Sequence, residues 1–101
     1  MNEIKIFDNP EFGKVRTMEI NGEPYFVGKD VAEILGYKNT RDAVLKHVDD
    51  NNKRICCINT TNGIHRLVAI SEVGLFQLIN NSKLLTIKNK EKILTWFKSL
   101  D

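Results

Sequence analysis

The chain has 101 residues, of which 42% are hydrophobic, and this composition suits one small globular domain and excludes wholesale disorder, a collagen-like fibre and a coiled-coil rod. No apolar run approaches the roughly 18 to 20 residues of a membrane-spanning helix, and the N-terminus lacks the pattern of a signal peptide, so we expect a cytoplasmic protein with no membrane partner. The net charge of +2 divides into −3 over residues 1–37 and +5 over residues 38–101, a distribution that suits a polyanion-binding face but also a scattered solvated surface.

The first predicted elements are β-strands. Residues 15–20 and 23–27 flank Asn21-Gly22, a pair that readily adopts the positive φ angles of a tight hairpin turn. The apolar residues within segment 4–7 predict a further strand. The chain therefore begins with an antiparallel sheet.

Two short helices are expected next. Asp30 is a candidate N-cap, with a glutamate three residues later as in a capping box, and Gly36 ends this first helix. Asn39 or Thr40 can cap a second helix that continues to about Val48. Only a tight connection separates the two helices.

The remainder predicts a second hairpin and two longer helices. Segments 54–58 and 66–70 flank a second Asn-Gly pair, Asn62-Gly63, and predict a hairpin with a looser loop around Thr60 and Thr61. Ser71 can cap a third helix, and an amphipathic pattern predicts a fourth over about residues 86–100. The expected fold class is therefore α+β: a small antiparallel sheet from two hairpins, with about four helices that include a helix-turn-helix-like pair.

The two cysteines, Cys56 and Cys57, are adjacent in sequence. A bond between neighbours would close a strained ring, so we expect reduced thiols that serve as structural strand residues. The only histidines, His47 and His65, complete no metal-ligand spacing. We expect neither a metal site nor a cofactor.

The pair of helices within residues 30–48 is the most informative pattern for function. In helix-turn-helix proteins a first helix braces a second one, whose start enters the major groove. Asn can read adenine, Arg can read guanine, and Thr or Lys can hold phosphates. The candidate DNA-binding residues are Lys38, Asn39, Thr40, Arg41, Lys46 and, on the second hairpin, Arg66.

A purely structural interpretation of the same residues is equally open. Asn39 and Thr40 can simply cap the helix while Arg41 and Lys46 stay solvated. The second hairpin can be the wing of a winged helix or a plain hairpin that completes a sheet.

No sequence motif of an enzyme is present, so we predict no catalytic residues and no enzymatic activity. Palindromic DNA sites favour two-fold symmetric proteins, and we therefore expect a homodimer. Trp96 and Leu100 on the last helix are the candidate contacts, although both can equally belong to the core.

Four runs of residues together resemble a known family. They are Phe12-Gly13-Lys14-Val15-Arg16, the stretch from Asn21 to Ala32, Leu35-Gly36-Tyr37 and His47-Val48. They resemble the BRO family N-terminal (Bro-N) domain of phage antirepressors and baculovirus BRO proteins. The later part is compatible with the family pattern: Ile70-Ser71-Glu72 with Gly74-Leu75 resembles its helix start, and Asn81-Ser82-Lys83 with Trp96 resembles its closing segment. It departs in two respects, because the spacing from Ser82 to Trp96 is longer and Leu85 stands where a proline is common.

This resemblance implies one Bro-N-like domain over residues 1–101. Family members commonly continue into a second domain, which would make the chain either a truncated part of a longer protein or a stand-alone version. The implied function is that of a DNA-binding transcriptional regulator of prophage or viral type, acting as an antirepressor on double-stranded DNA.

Two other functions remain open. The first is a protein-interaction module that captures a phage repressor without contacting DNA. The second is a chiefly structural dimerisation domain. Salt-dependent affinity for duplex DNA would distinguish DNA binding from repressor capture, because neutralising phosphates makes affinity fall steeply with salt.

Overall fold

The computed structural model describes residues 4–83 and 87–100, and in this part of the chain five strands and four α-helices confirm the α+β fold. The strands are β1 (Lys5–Asn9), β2 (Gly13–Ile20), β3 (Glu23–Val27), β4 (Lys53–Thr60) and β5 (Gly63–Ile70). The helices are α1 (Gly28–Ile34), α2 (Thr40–His47), α3 (Glu72–Asn81) and α4 (Ile87–Lys98), with a short 3-10 helix at Asp50–Asn52. Thr86, the predicted start of the last helix, lies outside the described residues. None of the described helices is long and apolar enough to cross a membrane.

All five strands belong to one antiparallel sheet of order β1-β2-β3-β5-β4. The two hairpins meet only where Phe26 pairs with Ile70 and Val27 pairs with Ala69. Beyond these pairs β5 continues with β4 alone, so the second hairpin extends past the end of β3. We call residues 55–68 of this hairpin the arm.

The two hairpin turns differ in geometry. Asn21 and Gly22 have φ angles of 54° and 82°, which confirms the primed turn predicted from this pair. In the second hairpin Gly63 pairs with Thr60 and has a φ of 111°, so the turn is formed by residues 61–62. The predicted hairpin is therefore present, but its loop is shorter than the looser one expected around Thr60 and Thr61, and Gly63 has its positive φ within the ladder.

The main core lies between the helices and one face of the sheet. Its largest fully buried side chains are Phe97, Leu35, Ile70, Leu75, Leu78 and Ile93. A smaller cluster on the other face consists of Met18, Tyr25, Val27 and Ala69. The helices thus cover one face of the sheet.

The predicted N-cap of the first helix is wrong. The helix α1 begins directly after β3, at Gly28, which leaves no loop for a cap at Asp30. Asp30 instead lies in the first turn, 9% exposed, where its carboxylate accepts hydrogen bonds from the backbone N–H and the guanidinium of Arg16. Asp30 therefore connects α1 to β2 instead of capping the helix.

The predicted end of the first helix and the predicted caps of the second and third helices are confirmed. The carboxamide oxygen of Asn39 accepts from the N–H of Asp42 at 3.1 Å, and Ser71 accepts from the N–H of Gly74 at 3.2 Å. Gly36, with a φ of 86°, ends the first helix. A five-residue link joins α1 to α2, an arrangement compatible with a helix-turn-helix-like pair.

Candidate nucleic-acid interface

The helix α2 separates its buried and exposed residues clearly. Ala43 and Val44 are buried against the core. The opposite side presents exposed residues that are four positions apart and therefore neighbours on the helix surface. They are Arg41 with Leu45 and Asp42 with Lys46. The exposed side of α2 thus combines two cations, one anion and one large apolar residue.

The structure places the six predicted DNA-binding residues as follows. Lys38, Asn39, Arg41 and Lys46 are exposed on α2 or its preceding link, Thr40 is half-buried as the first residue of α2, and Arg66 is exposed on β5. Asn39, rather than Thr40, is the cap. Its capping bond engages only the carboxamide oxygen, which leaves the amide group available to a ligand.

Four of these residues are cations without an internal partner. In the described part of the chain, no hydrogen bond or ion pair engages the side chains of Lys38, Arg41, Lys46 or Arg66. Exposed cations that are not neutralised by the protein keep their full charge for an external anion.

The arm presents Arg66 on the same side of the sheet as α2. Side chains alternate along a strand, so Arg66 shares a face with Val68. Val68 packs against the helix-side core. A Cβ added at Gly28 would lie 3.0 Å from Val44 of α2 and 3.3 Å from the carbonyl oxygen of Val68. The base of the arm therefore lies beside α2, and Arg66 is roughly 7 Å further along the strand.

Large apolar side chains are exposed on the same side, and sequence reasoning missed them. Leu45 on α2 is 58% exposed, and Ile55 and Ile64 on the arm are 70% and 72% exposed. Register places Ile55 opposite Val68, which puts Ile55 on the helix-side face. We call the exposed residues Lys38, Arg41, Leu45, Lys46, Ile55, Ile64 and Arg66 the α2–arm surface. Strand and helix periodicity does not indicate that these apolar residues stay exposed.

Two other arginines have structural partners. The pair between Arg16 and Asp30 has an Nε to Oδ2 distance of 2.8 Å, and the hydrogen bond to this carboxylate raises the pKa of the Arg16 guanidinium. Arg54 donates from Nε to the Tyr25 hydroxyl at 3.1 Å, and this bond raises the pKa of Arg54. Arg54 points away from α2, because it pairs with Ala69 on the opposite face of the sheet. Neither arginine belongs to the α2–arm surface.

Both cysteines are free thiols on β4. Cys56 is half-buried, and burial raises the pKa of its thiol. Cys57 is exposed. Within residues 4–83 and 87–100, no group of three or more His, Cys, Asp or Glu could hold a metal ion.

Comparison with known proteins gives one family and one relative. The family described as BRO family, N-terminal domain (Bro-N), matches residues 14–99. A "Putative Bro-N domain-containing protein 289L" of Invertebrate iridescent virus 6 is 38% identical over 78 residues. That similarity covers 59% of this chain but 19% of the viral protein, so the chain matches about a fifth of its relative's length. No solved structure matches the chain.

Proposed function

The chain belongs to the BRO family, as a Bro-N domain, and we propose that it is a DNA-binding regulator of viral or prophage type that contacts duplex DNA through the α2–arm surface. The observation that carries this proposal is a set of four exposed cations that have no partner among the residues the structure describes: Lys38, Arg41, Lys46 and Arg66. Family membership supports the same general role.

The dimensions of α2 suit a major groove. An α-helix with its side chains is about 10 to 12 Å in diameter, which fits the major groove of B-DNA, about 12 Å wide. Because α2 is anchored through Ala43 and Val44, its exposed side can approach DNA without unfolding. Arg66 then reaches the flanking backbone from the arm, as the wing of a winged helix would.

The predicted residues take different roles in this arrangement. Arg41, in the first turn of α2, is the candidate base reader, since arginine pairs bidentately with guanine. Lys38, Lys46 and Arg66 are the candidate phosphate contacts. Asn39 and Thr40 lie at the N-terminal end of α2, where helix amides also favour an anion. Asp42 lies among these cations and disfavours phosphate close to it.

A protein-binding function has its own support in the exposed apolar residues Leu45, Ile55 and Ile64. Such side chains are typical of a docking surface, and the partner would be a repressor of phage type, as expected of an antirepressor. The two functions differ in their dependence on salt, because cation release from phosphates accompanies DNA binding.

A mobility-shift titration over salt concentration tests the proposal. Random and AT-rich duplexes should both bind at low salt, with affinity falling steeply as salt rises. A variant carrying Lys5→Ala is the control, since Lys5 is exposed on β1, at the opposite edge of the sheet from β4. Absence of binding at low salt by folded protein would reject DNA binding and favour repressor capture.

A further inference from the structure

The strand β4 forms one edge of the sheet, and no described residue range pairs with its outer side. Soluble proteins protect such edges with charges, prolines or bulges, because an open edge is a template for another strand. On β4 the charges stand only at its base, Lys53 and Arg54. The following six residues read Ile-Cys-Cys-Ile-Asn-Thr and contain no charge, proline or glycine. This part of β4 is an unprotected edge of high β-propensity.

The inner part of the arm packs through Cys56 against the smaller core cluster, and its distal part continues beyond the last pair between β3 and β5. Because β3 pairs with β5 only at Ala69 and Ile70, the distal part of the hairpin lacks a third strand. Ile55 is 70% exposed and Cys57 is exposed, so both remain available for contact.

We propose that a second copy of this chain pairs antiparallel with β4, so that two five-stranded sheets join into one. A two-fold axis perpendicular to the sheet relates the copies, which is the symmetry that a closed dimer needs. This inference does not depend on DNA binding.

The residue order of β4 suits pairing with itself. With a two-fold axis perpendicular to the sheet, each residue lies opposite a residue of the second copy whose side chain is on the same face. Cys56 and Cys57 are the two middle residues of the eight-residue strand. The two central registers therefore place either Cys56 against its own copy or Cys57 against its own copy. Arg54 then meets Ile58 or Thr60 of the second copy, so neither register opposes like charges, which would be destabilising.

The dimer contact expected from the sequence was a different one, Trp96 and Leu100. Both residues are half-buried against the core, and the Trp96 ring lies 6.0 Å from Phe12 and 5.1 Å from Phe97. Much of their apolar surface is thus used within the chain, whereas Ile55 on β4 is not covered. This comparison favours β4 as the interface.

The cysteines provide a direct readout of the pairing. Residues opposite each other in an antiparallel pair have Cα atoms about 4.5 to 5.5 Å apart, which lies inside the roughly 4.4 to 6.8 Å range of disulfides. Diamide would take one hydrogen from each of two thiols, forming the disulfide while it is reduced to a hydrazine. Dilute wild-type protein should become a covalent dimer. One of the variants Cys56→Ser and Cys57→Ser should lose this cross-link and the other should keep it, which identifies the register.

Sedimentation tests the pairing without oxidant. The double variant Cys56→Ser, Cys57→Ser should still form a dimer of the 11.6 kDa chain. Ile55→Lys should raise the dimer dissociation constant by at least roughly tenfold, because lysine on an edge strand opposes pairing. Val73→Lys is the matched control, since it places the same charge at a 53% exposed position on α3, and it should leave the dimer unchanged. Circular dichroism should show that both lysine variants remain folded.

Two results would overturn the proposal. The first is a wild-type chain that stays monomeric at all concentrations. The second is a dimer that resists Ile55→Lys and forms no disulfide with diamide, which would assign the contact to another surface, such as that of Trp96 and Leu100.

Discussion

For single residues, the sequence predicted which side chains could form capping hydrogen bonds, but it did not predict distant hydrogen-bond partners. Asn39 and Ser71 cap helices as their side chains suggest, since each needs only the backbone N–H groups that follow it in sequence. Asp30 has the same capping chemistry, but its carboxylate bonds to Arg16, fourteen residues earlier. Local sequence cannot reveal such a partner, because the contact exists only after α1 has docked on β2. That Arg41 has no partner within residues 4–83 and 87–100 is likewise a result of the fold.

Arg41 provides the first residue-scale prediction. Arg41→Ala should weaken DNA binding by about 1 to 3 kcal/mol and relax preference at one base position, as expected for loss of a base-reading arginine. Its effect on stability should stay within about 0.5 kcal/mol, because the side chain is exposed and has no internal partner. Mobility shifts and thermal melts measure the two quantities.

Matched variants separate this effect from loss of a helix cap. Lys46→Ala should weaken binding to all sequences alike and reduce the salt slope by about one unit. Asn39→Ala should cost about 1 kcal/mol of stability through the lost cap, whereas Thr40→Ala should not, because Thr40 is not the cap. Unchanged DNA affinity in folded Arg41→Ala and Lys46→Ala would show that α2 is not the DNA-reading helix.

Asp30 provides a second prediction at this scale, concerning stability. Asp30→Ala removes the acceptor of three hydrogen bonds from Arg16. The guanidinium is partly exposed and can regain water, so we expect a loss of about 1 to 3 kcal/mol rather than the larger cost of a fully buried charge. Urea unfolding measures this loss. Lys29→Ala, at an exposed position of the same helix, is the control, and equal stability of the two variants would contradict the role assigned to Asp30.

At the scale of elements, every predicted strand and helix in the described residues is present, and the errors lie at boundaries. Asn21-Gly22 forms the expected turn because two adjacent positive φ angles are needed there. Asn62-Gly63 contains the same two residue types, yet Gly63 is part of the ladder. Local preference indicates that a turn occurs but leaves its register to the pairing of the whole hairpin.

Gly74 provides the prediction for an element. It lies in α3, where an added Cβ would be 2.9 Å from Val48 Cγ1 and 3.2 Å from the Asn52 carbonyl oxygen. Gly74→Ala should therefore destabilise the protein by about 1 to 3 kcal/mol through overpacking, although alanine favours an isolated helix. Chemical denaturation checks the sign. The control Val73→Ala, at an exposed neighbouring position, should change stability by about 0.5 kcal/mol or less; a Gly74→Ala variant that is more stable than wild type would contradict the close packing.

At the scale of the whole molecule, the sequence predicted a small antiparallel sheet from two hairpins, but not the strand order and register that join the hairpins. The joining pairs, Phe26 with Ile70 and Val27 with Ala69, connect residues more than forty positions apart. No turn signal or periodicity specifies such a contact. Because β3 and β5 pair through only two residues each, the second hairpin continues as the arm. The arm carries Arg66, and its outer strand β4 is the open edge of the sheet.

The last prediction concerns the joint use of α2 and the arm. If both contact one duplex, each lost cation contact should reduce the salt slope by about 0.9 units. Lys46→Ala and Arg66→Ala, which each remove a candidate phosphate contact, should each have this effect, and the double variant should lose about twice as much. A duplex that is too short to reach the arm should keep only the contact with α2. On such a duplex Arg66→Ala should bind as tightly as wild type, whereas Arg41→Ala should still bind more weakly. If Arg66→Ala instead retains the wild-type slope on long duplexes, the arm does not contact DNA, and its exposed apolar residues must serve a protein contact.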